Sequence, residues 1–187
     1  MPSEIEAKLK VSSLEDVERG LRDCRASYKR ETVQTDCYLD TGDGQLRRSD
    51  RALRLRRDKS DGDERSIVTY KGPKEKDDYK KRVEIEFEVD DAEAAGALFE
   101  AIGYRKALAF NKRRRLWQLL GCEVALDELP LLGVFVEIEG PNSGAIARVQ
   151  EMLGLGEIPH IMDSYATLID RRLSRVGDGG RWREVYL

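Results

Sequence analysis

The stretch EIEAKLKV at residues 4–11 sets Glu4, Glu6, Lys8 and Lys10 on one side and Ile5, Ala7, Leu9 and Val11 on the other. Side chains alternate across a β-strand, so this segment reads as a strand with one apolar face and one wholly charged face. The pattern recurs along the chain. RALRLRR places Arg54 and Arg56 opposite Leu53 and Leu55, and KRVEIEFEV places Arg82, Glu84, Glu86 and Glu88 opposite Val83, Ile85, Phe87 and Val89. FVEIE carries Glu137 and Glu139 on one face, mirroring Glu4 and Glu6. For one strand, a solvated charged face with weak cross-strand pairing is the ordinary explanation. Across the set it weakens, because water-facing strands use Ser, Thr and Gln freely, whereas these use Glu, Arg and Lys almost exclusively. The alternative is that the charges face inward and the apolar side chains pack outward against helices.

Other segments fill in the plan. VSSLEDVERGLRDCRA has helical spacing of Leu14, Val17 and Leu21, with Ser12 and Glu15 as a capping box. TVQTDCYLD (32–40), RSIVTYKGP, ALAFNKRRRLWQL and CEVALDEL read as further strands, and TGDGQ as a turn. Asp90 and Asp91 open a helix that Gly103 ends. Ser143 to Leu153 and Ile161 to Arg172 form two closing helices, and 58–64 and 72–79 read as polar loops. About eight strands follow one another mainly as hairpin neighbours, with few helical crossovers. That order favours an antiparallel α+β fold over a parallel sheet. With no repeat and no Pro/Ser-rich linker, residues 1–175 read as one domain, and 176–187 as a tail that is either a loose end or a late edge strand.

Charge balance narrows the function classes. Of the 187 residues, 37% are charged, above the usual quarter, yet the net charge is only -3. A general nucleic-acid binder would be net basic. Cys24, Cys37 and Cys122 are far apart, without a CxxC pair, so free thiols in a reducing compartment are expected. Charges begin at Glu4 and no long apolar run follows, so neither a signal peptide nor a membrane span is expected, and a cytoplasmic protein is. The single histidine, His160, excludes a His-based triad, and GxxxxGK[ST] is absent.

The charged faces carry a specific chemistry. Two carboxylates alternating on a strand lie roughly 6–7 Å apart, and two such pairs facing one another suit hard divalent cations such as Mg²⁺ or Mn²⁺. An oligophosphate wants Arg forks and Lys point charges from several directions. A closed barrel with Arg and Lys on most strands of its lumen and carboxylates in one sector would meet both demands.

EIEAK fits the ExExK signature that opens the CYTH superfamily, the triphosphate tunnel metalloenzymes. LRLR, TYKGP, KRVEIE, NKRRR, LDEL and GVFVEIEG follow in the family's order. QTDCYLD and DSYATLID resemble most the branch named for class IV adenylyl cyclases, and the resemblance runs from about residue 3 to about residue 173. It implies an eight-stranded antiparallel β-barrel forming a tunnel, with helices outside. It also implies Mg²⁺ or Mn²⁺ at Glu4, Glu6, Glu137 and Glu139, with Asp127 nearby. Lys8, Arg54, Arg56, Lys71, Arg82, Lys112 and Arg114 would hold the triphosphate. Lys8, Arg56 and Lys71 are the catalytic subset, and Glu84 and Glu86 complete the acidic sector.

The activities implied are cyclisation of ATP to cyclic AMP with release of pyrophosphate, or hydrolysis of inorganic tripolyphosphate or thiamine triphosphate. The His-Phe pair that precedes the first strand in characterised class IV cyclases is absent where Met1, Pro2 and Ser3 stand, so the hydrolases remain the alternative. A non-catalytic polyanion or RNA-end binder using NKRRR is the second alternative. It would leave the paired carboxylates without a purpose. Homodimerisation is expected only by analogy with similar domains.

Overall fold

The structure, a computed structural model, describes residues 3–74, 80–176 and 183–187, apart from the side chains at 3, 4, 80, 81 and 176. In chain order the elements are β1 (Ser3–Lys10), α1 (Leu14–Asp23), β2 (Ser27–Thr41), α2 (Gln45–Arg48), β3 (Ala52–Ser60), β4 (Asp63–Lys71) and β5 (Lys80–Val89). Then come α3 (Ala92–Ala101), β6 (Tyr104–Leu119), β7 (Cys122–Leu129), β8 (Gly133–Glu139), α4 (Ser143–Met152), α5 (Tyr165–Val176) and β9 (Arg183–Val185). Strands run β2-β3-β4-β5-β1-β8-β7-β6 around the sheet, and β2 also pairs with β6, which brings the two ends together. Every pairing among these eight is antiparallel. The eight-stranded antiparallel barrel expected from the sequence is present.

Local chemistry sets the boundaries. The Ser13 hydroxyl accepts from Asp16 N at 3.1 Å, so α1 is capped by Ser13 rather than Ser12, one residue later than the sequence suggests. Asp91 and Asn142 cap α3 and α4 in the same way. The polar loop expected at 58–64 is mostly strand. Asp61 and Gly62 take φ of 36° and 90° and form a two-residue hairpin turn, so Asp58–Ser60 extend β3 and Asp63 begins β4. Asp-Gly is the residue pair that a tight hairpin favours, which is why the loop collapses to two residues. Of the other loop, 72–79, residues 75–79 lie outside the described residues. In the tail, β9 pairs parallel with β6 at 108–110, on the edge that β7 leaves unpaired.

The outer apolar faces are covered unevenly. Ala7 and Leu9 of β1, Trp117, Val124 and Leu126, and Val136 and Ile138 of β8 form one core with Leu14, Val17 and Leu21 of α1 and Ile146 and Val149 of α4. On β5, by contrast, Ile85 and Phe87 are exposed. Inside the barrel, parity breaks at one end. Phe110 shares its side with Lys112 and Phe135 shares its side with Glu137, yet both are buried with Leu129, Tyr165 and Ile169. The α5 helix thus seats its first turns across one end of the lumen, and apolar side chains replace charges where it does.

Truncating Ile138, which has no exposed surface, to Ala should cost about 2–5 kcal/mol in denaturant unfolding, whereas Ile85→Ala should stay within about 0.5 kcal/mol. Equal costs would contradict the assignment of which outer faces the helices cover.

Candidate active site

The lumen holds a cavity of about 280 Å³ lined by side chains from all eight barrel strands and by Ser164 and Tyr165. Glu6, Lys8, Arg54, Arg56, Lys71, Arg82, Glu84, Glu86, Lys112, Arg114, Glu137 and Glu139 all line it. Alternation does the sorting: Arg114 faces the lumen, whereas Arg113 faces out to Glu128 at 3.1 Å and Arg115 reaches Glu18 on α1. The NKRRR run is therefore split between two surfaces, and its outward arms are paired with acids. Lys10 is exposed, with its ammonium 5.7 Å from the Phe135 ring, and does not line the cavity. Glu4 lies opposite Arg82 in the strand register, and its side chain falls outside the described residues.

Several of these charges are withdrawn from water. Lys8 is 1% exposed and donates to the carbonyl of Asp163 at 3.1 Å. Its ammonium also lies 3.2 Å from Glu137 and 4.3 Å from the centre of the Tyr165 ring. Asp127 has no exposed surface and lies behind the cavity wall. It accepts two bonds from Arg114, at 2.7 and 2.6 Å, one from Lys112 at 3.3 Å and one from the Tyr165 hydroxyl at 2.9 Å. Arg114 continues to Glu137. Burial, helped by the Arg114 guanidinium, pushes the Lys112 ammonium down to about 7 against the pull of Asp127 and Glu137. Burial also raises the Tyr165 hydroxyl far above its ordinary value, and the Asp127 and Glu137 charges add to this, so it stays a donor.

A second carboxylate does the same work on β2, on the other side of β6 from Asp127. Asp36 is 2% exposed and takes a fork from Arg56 at 2.6 and 2.9 Å. Burial alone would raise its carboxyl, yet the Arg56 and Arg54 guanidiniums hold it well below the usual range. Arg54 donates to Thr69 at 2.9 Å, Lys71 pairs with Glu84, and Arg82 lies 3.6 Å from Asp50. Among the described residues, the Nε groups of Arg54 and Arg82 are buried without a hydrogen-bond acceptor, the Asp36 carboxylate standing 3.9 Å from Arg54 Nε. Such donors carry a desolvation penalty until an acceptor arrives, and phosphate oxygens would provide one.

The acids form a row of their own. Glu6 on β1 stands directly opposite Glu139 on β8, which stands directly opposite Glu123 on β7. Like charges placed opposite one another on a sheet repel, and a cation among them would relieve that. Carboxylate oxygens are the donors that a hard divalent cation prefers, so these residues fit such a metal. Among the described residues, no three acids, histidines or cysteines are already drawn together as a ligand set.

Sequence reasoning overlooked Thr32, Gln34, Asp36 and Tyr38 of β2, Asp58, Glu123 and Tyr165. Parity within TVQTDCYLD, the late end of β3 and CEVALDEL would have found all but Tyr165. That residue arrives on a helix, and no strand pattern could announce it.

A CYTH domain family model matches residues 2–152. The protein named "Putative adenylate cyclase MJ0240" from Methanocaldococcus jannaschii is 32% identical over 136 residues, covering 73% of this chain and 75% of the relative. Among solved structures, the PH1819 protein of Pyrococcus horikoshii superposes with a TM-score of 0.80 at 26% identity, over 90% of this chain and 99% of that one. The PH1012 protein of the same organism gives 0.76 at 29% identity, over 88% and 98%. Among the described residues, no helix is long and apolar enough to cross a membrane.

The depressed Lys112 ammonium makes binding of a polyanion depend on pH. In the empty protein Lys112 is charged below about pH 7 and loses its charge above it. A polyanion favours the charged form, so binding at pH 8 should take up a proton, and affinity should fall as pH rises through 7. Calorimetry in two buffers of different ionisation enthalpy should show close to one more proton taken up by the wild type than by Lys112→Met. Identical uptake would contradict this charge state.

Proposed function

The chain belongs to the CYTH domain family, and on that premise we propose that it is a divalent-metal-dependent enzyme acting on the triphosphate of ATP, forming cyclic AMP and pyrophosphate. The observation that carries the reading is the buried cation lining, above all the Nε donors of Arg54 and Arg82, which have no hydrogen-bond acceptor among the described residues, together with the sunken Lys8 and Lys112. Acids of the lumen already pair with several of these cations, and a triphosphate would offer oxygens to the donors they leave over, along one chain. The relative's name supports the cyclase over other triphosphate reactions.

The side chains divide the work. Arg54, Arg56, Lys71, Arg82, Lys112 and Arg114, with Lys8, surround the phosphates and fix the chain in line with its attacking group. Lys8, Arg56 and Lys71 stabilise charge that develops on the phosphate oxygens. Asp36 and Asp127 hold Arg56 and Arg114 in place, so these donors need no reorganisation when the reaction occurs. Glu6, Glu137 and Glu139, with Glu4, would hold Mg²⁺ or Mn²⁺, and Glu84 and Glu86 extend that acidic side. When bound, the metal supplies charge neutralisation and lowers the pKa of the attacking hydroxyl. Cyclisation needs the ribose 3′ hydroxyl to attack the α-phosphorus, and hydrolysis needs water to attack a terminal one; the same lining serves either.

With ATP and Mg²⁺ or Mn²⁺, cyclic AMP and pyrophosphate should form, EDTA should abolish turnover, and restoring the metal should recover it. Glu6→Gln and Glu137→Gln should each lower turnover by about a hundredfold or more while the proteins stay folded. Full activity in EDTA would overturn the metal assignment. Orthophosphate from tripolyphosphate, with no cyclic AMP from ATP, would make the enzyme a triphosphatase instead.

A further inference from the structure

Most of the cavity wall is charged, but one sector also presents uncharged polar groups. On β2 and β3, Thr32, Gln34 and Asp58 are each at most 5% exposed and all line the cavity. Gln34 and Asp58 stand opposite one another in the register, and the Gln34 amide donates to Asp58 Oδ2 at 2.9 Å. That bond fixes which way the amide points and, among the described residues, leaves Gln34 Oε1 as a buried acceptor with no donor. Thr32 Oγ1 and Asp58 Oδ1 make no well-formed hydrogen bond, although Asp58 Oδ2 stands 3.6 Å from Arg30. A small rotation of the Thr32 hydroxyl towards Asp58 would satisfy those two, and Gln34 Oε1 would still be unmatched.

The setting differs from the rest of the lumen. Two half-buried apolar side chains, Leu116 opposite Arg30 and Ile67 opposite Arg56, line the cavity from the strands on either side. The next pair along the β2–β3 register is Asp36 and Arg56, where the phosphate-facing cations begin. Across the β2–β6 ladder Thr32 stands opposite Arg114 and Gln34 opposite Lys112, so this sector lies directly against the cations on that side. It differs from them in offering buried acceptors with apolar flanks, and its carboxylate stands 3.6 Å from Arg30, which also lines the cavity. A ring or sugar that presents N–H or O–H groups and an apolar face would be matched.

We propose that Thr32, Gln34 and Asp58 form a specificity subsite that reads a hydrogen-bond-donating organic group carried on the triphosphate. The inference rests on the triphosphate reading above and deepens it, since it makes the substrate an organic triphosphate ester rather than the inorganic polyphosphate. Binding sites that hydrogen-bond a substrate discriminate strongly against analogues lacking the donor, because the buried acceptor is then left unpaired. Gln34 Oε1 is such an acceptor.

The test is calorimetric titration of the full chain with ATP and with inorganic tripolyphosphate, each with Mg²⁺. The wild type should bind ATP at least about tenfold more tightly than tripolyphosphate, after the value of one to two hydrogen bonds. Gln34→Leu and Thr32→Val should erase most of that ratio while changing tripolyphosphate affinity by less than about threefold, within one such bond. If Gln34→Leu fails to fold, Thr32→Val carries the same comparison. Equal wild-type affinities, or parallel losses for both ligands in the variants, would overturn the subsite and leave the triphosphate reading standing. If neither ligand bound the wild type, the triphosphate reading itself would fall, and the subsite with it.

Discussion

Asp127 is the pivot of the lumen. One carboxylate, wholly removed from water, receives a guanidinium fork and an ammonium from β6 and a phenol hydroxyl from α5. Through Arg114 and Lys112 it fixes where two of the cations stand, and through Tyr165 it ties α5 to the barrel. A buried ion pair adds little net stability against an apolar replacement, but removing one partner leaves the others uncompensated at a cost of several kcal/mol. The arrangement therefore serves placement of charge more than stability. The same tie brings Tyr165 edge-on against Phe135, with ring centres 5.3 Å apart, at the apolar end of the lumen under α5.

Within the lumen, bases and acids answer one another: Lys8 with Glu137, Lys71 with Glu84, Arg56 with Asp36. These pairs differ in kind. Asp36 and Asp127 are sunk below the cavity surface and stay with their arginines, whereas Glu139 and Glu86 are exposed at its rim. A triphosphate arriving with its metal would draw the bases to phosphate and the accessible acids to metal, while the sunken acids keep the guanidiniums aligned. Pre-organised donors of this kind favour charge that develops during reaction, because little must move when it does.

Much of this was legible from alternation alone. EIEAK, LRLR, KRVEIE and FVEIE each gave a charged face, and the structure turns those faces into one lumen because the β2–β6 pairing closes the sheet. The faces missed were those with mixed chemistry. Thr32, Gln34 and Asp36 look like an ordinary solvated strand face, and only closure of the barrel makes them interior. Lys10 was misplaced for a related reason. Parity fixes the side of a strand but not its depth, and Lys10 stands at the end of β1 where α5 and Phe135 replace the open lumen. The hairpin at Asp61–Gly62 was present in the sequence as an Asp-Gly pair, but the surrounding charges made the segment look like a longer loop.

The barrel is on this reading a socket for a triphosphate, and a triphosphate should stabilise the fold that binds it. The most direct measurement is the melting temperature of the full chain with saturating Mg²⁺ and tripolyphosphate, ATP or AMP. A ligand specific to the native site adds about 2.7 kcal/mol at a hundredfold excess over its dissociation constant, so tripolyphosphate and ATP should each raise the midpoint by several degrees. AMP, which carries the nucleoside and a single phosphate, should raise it far less. Stabilisation by AMP equal to that by ATP would contradict the account, because the lumen would then be recognising the nucleoside and not the triphosphate.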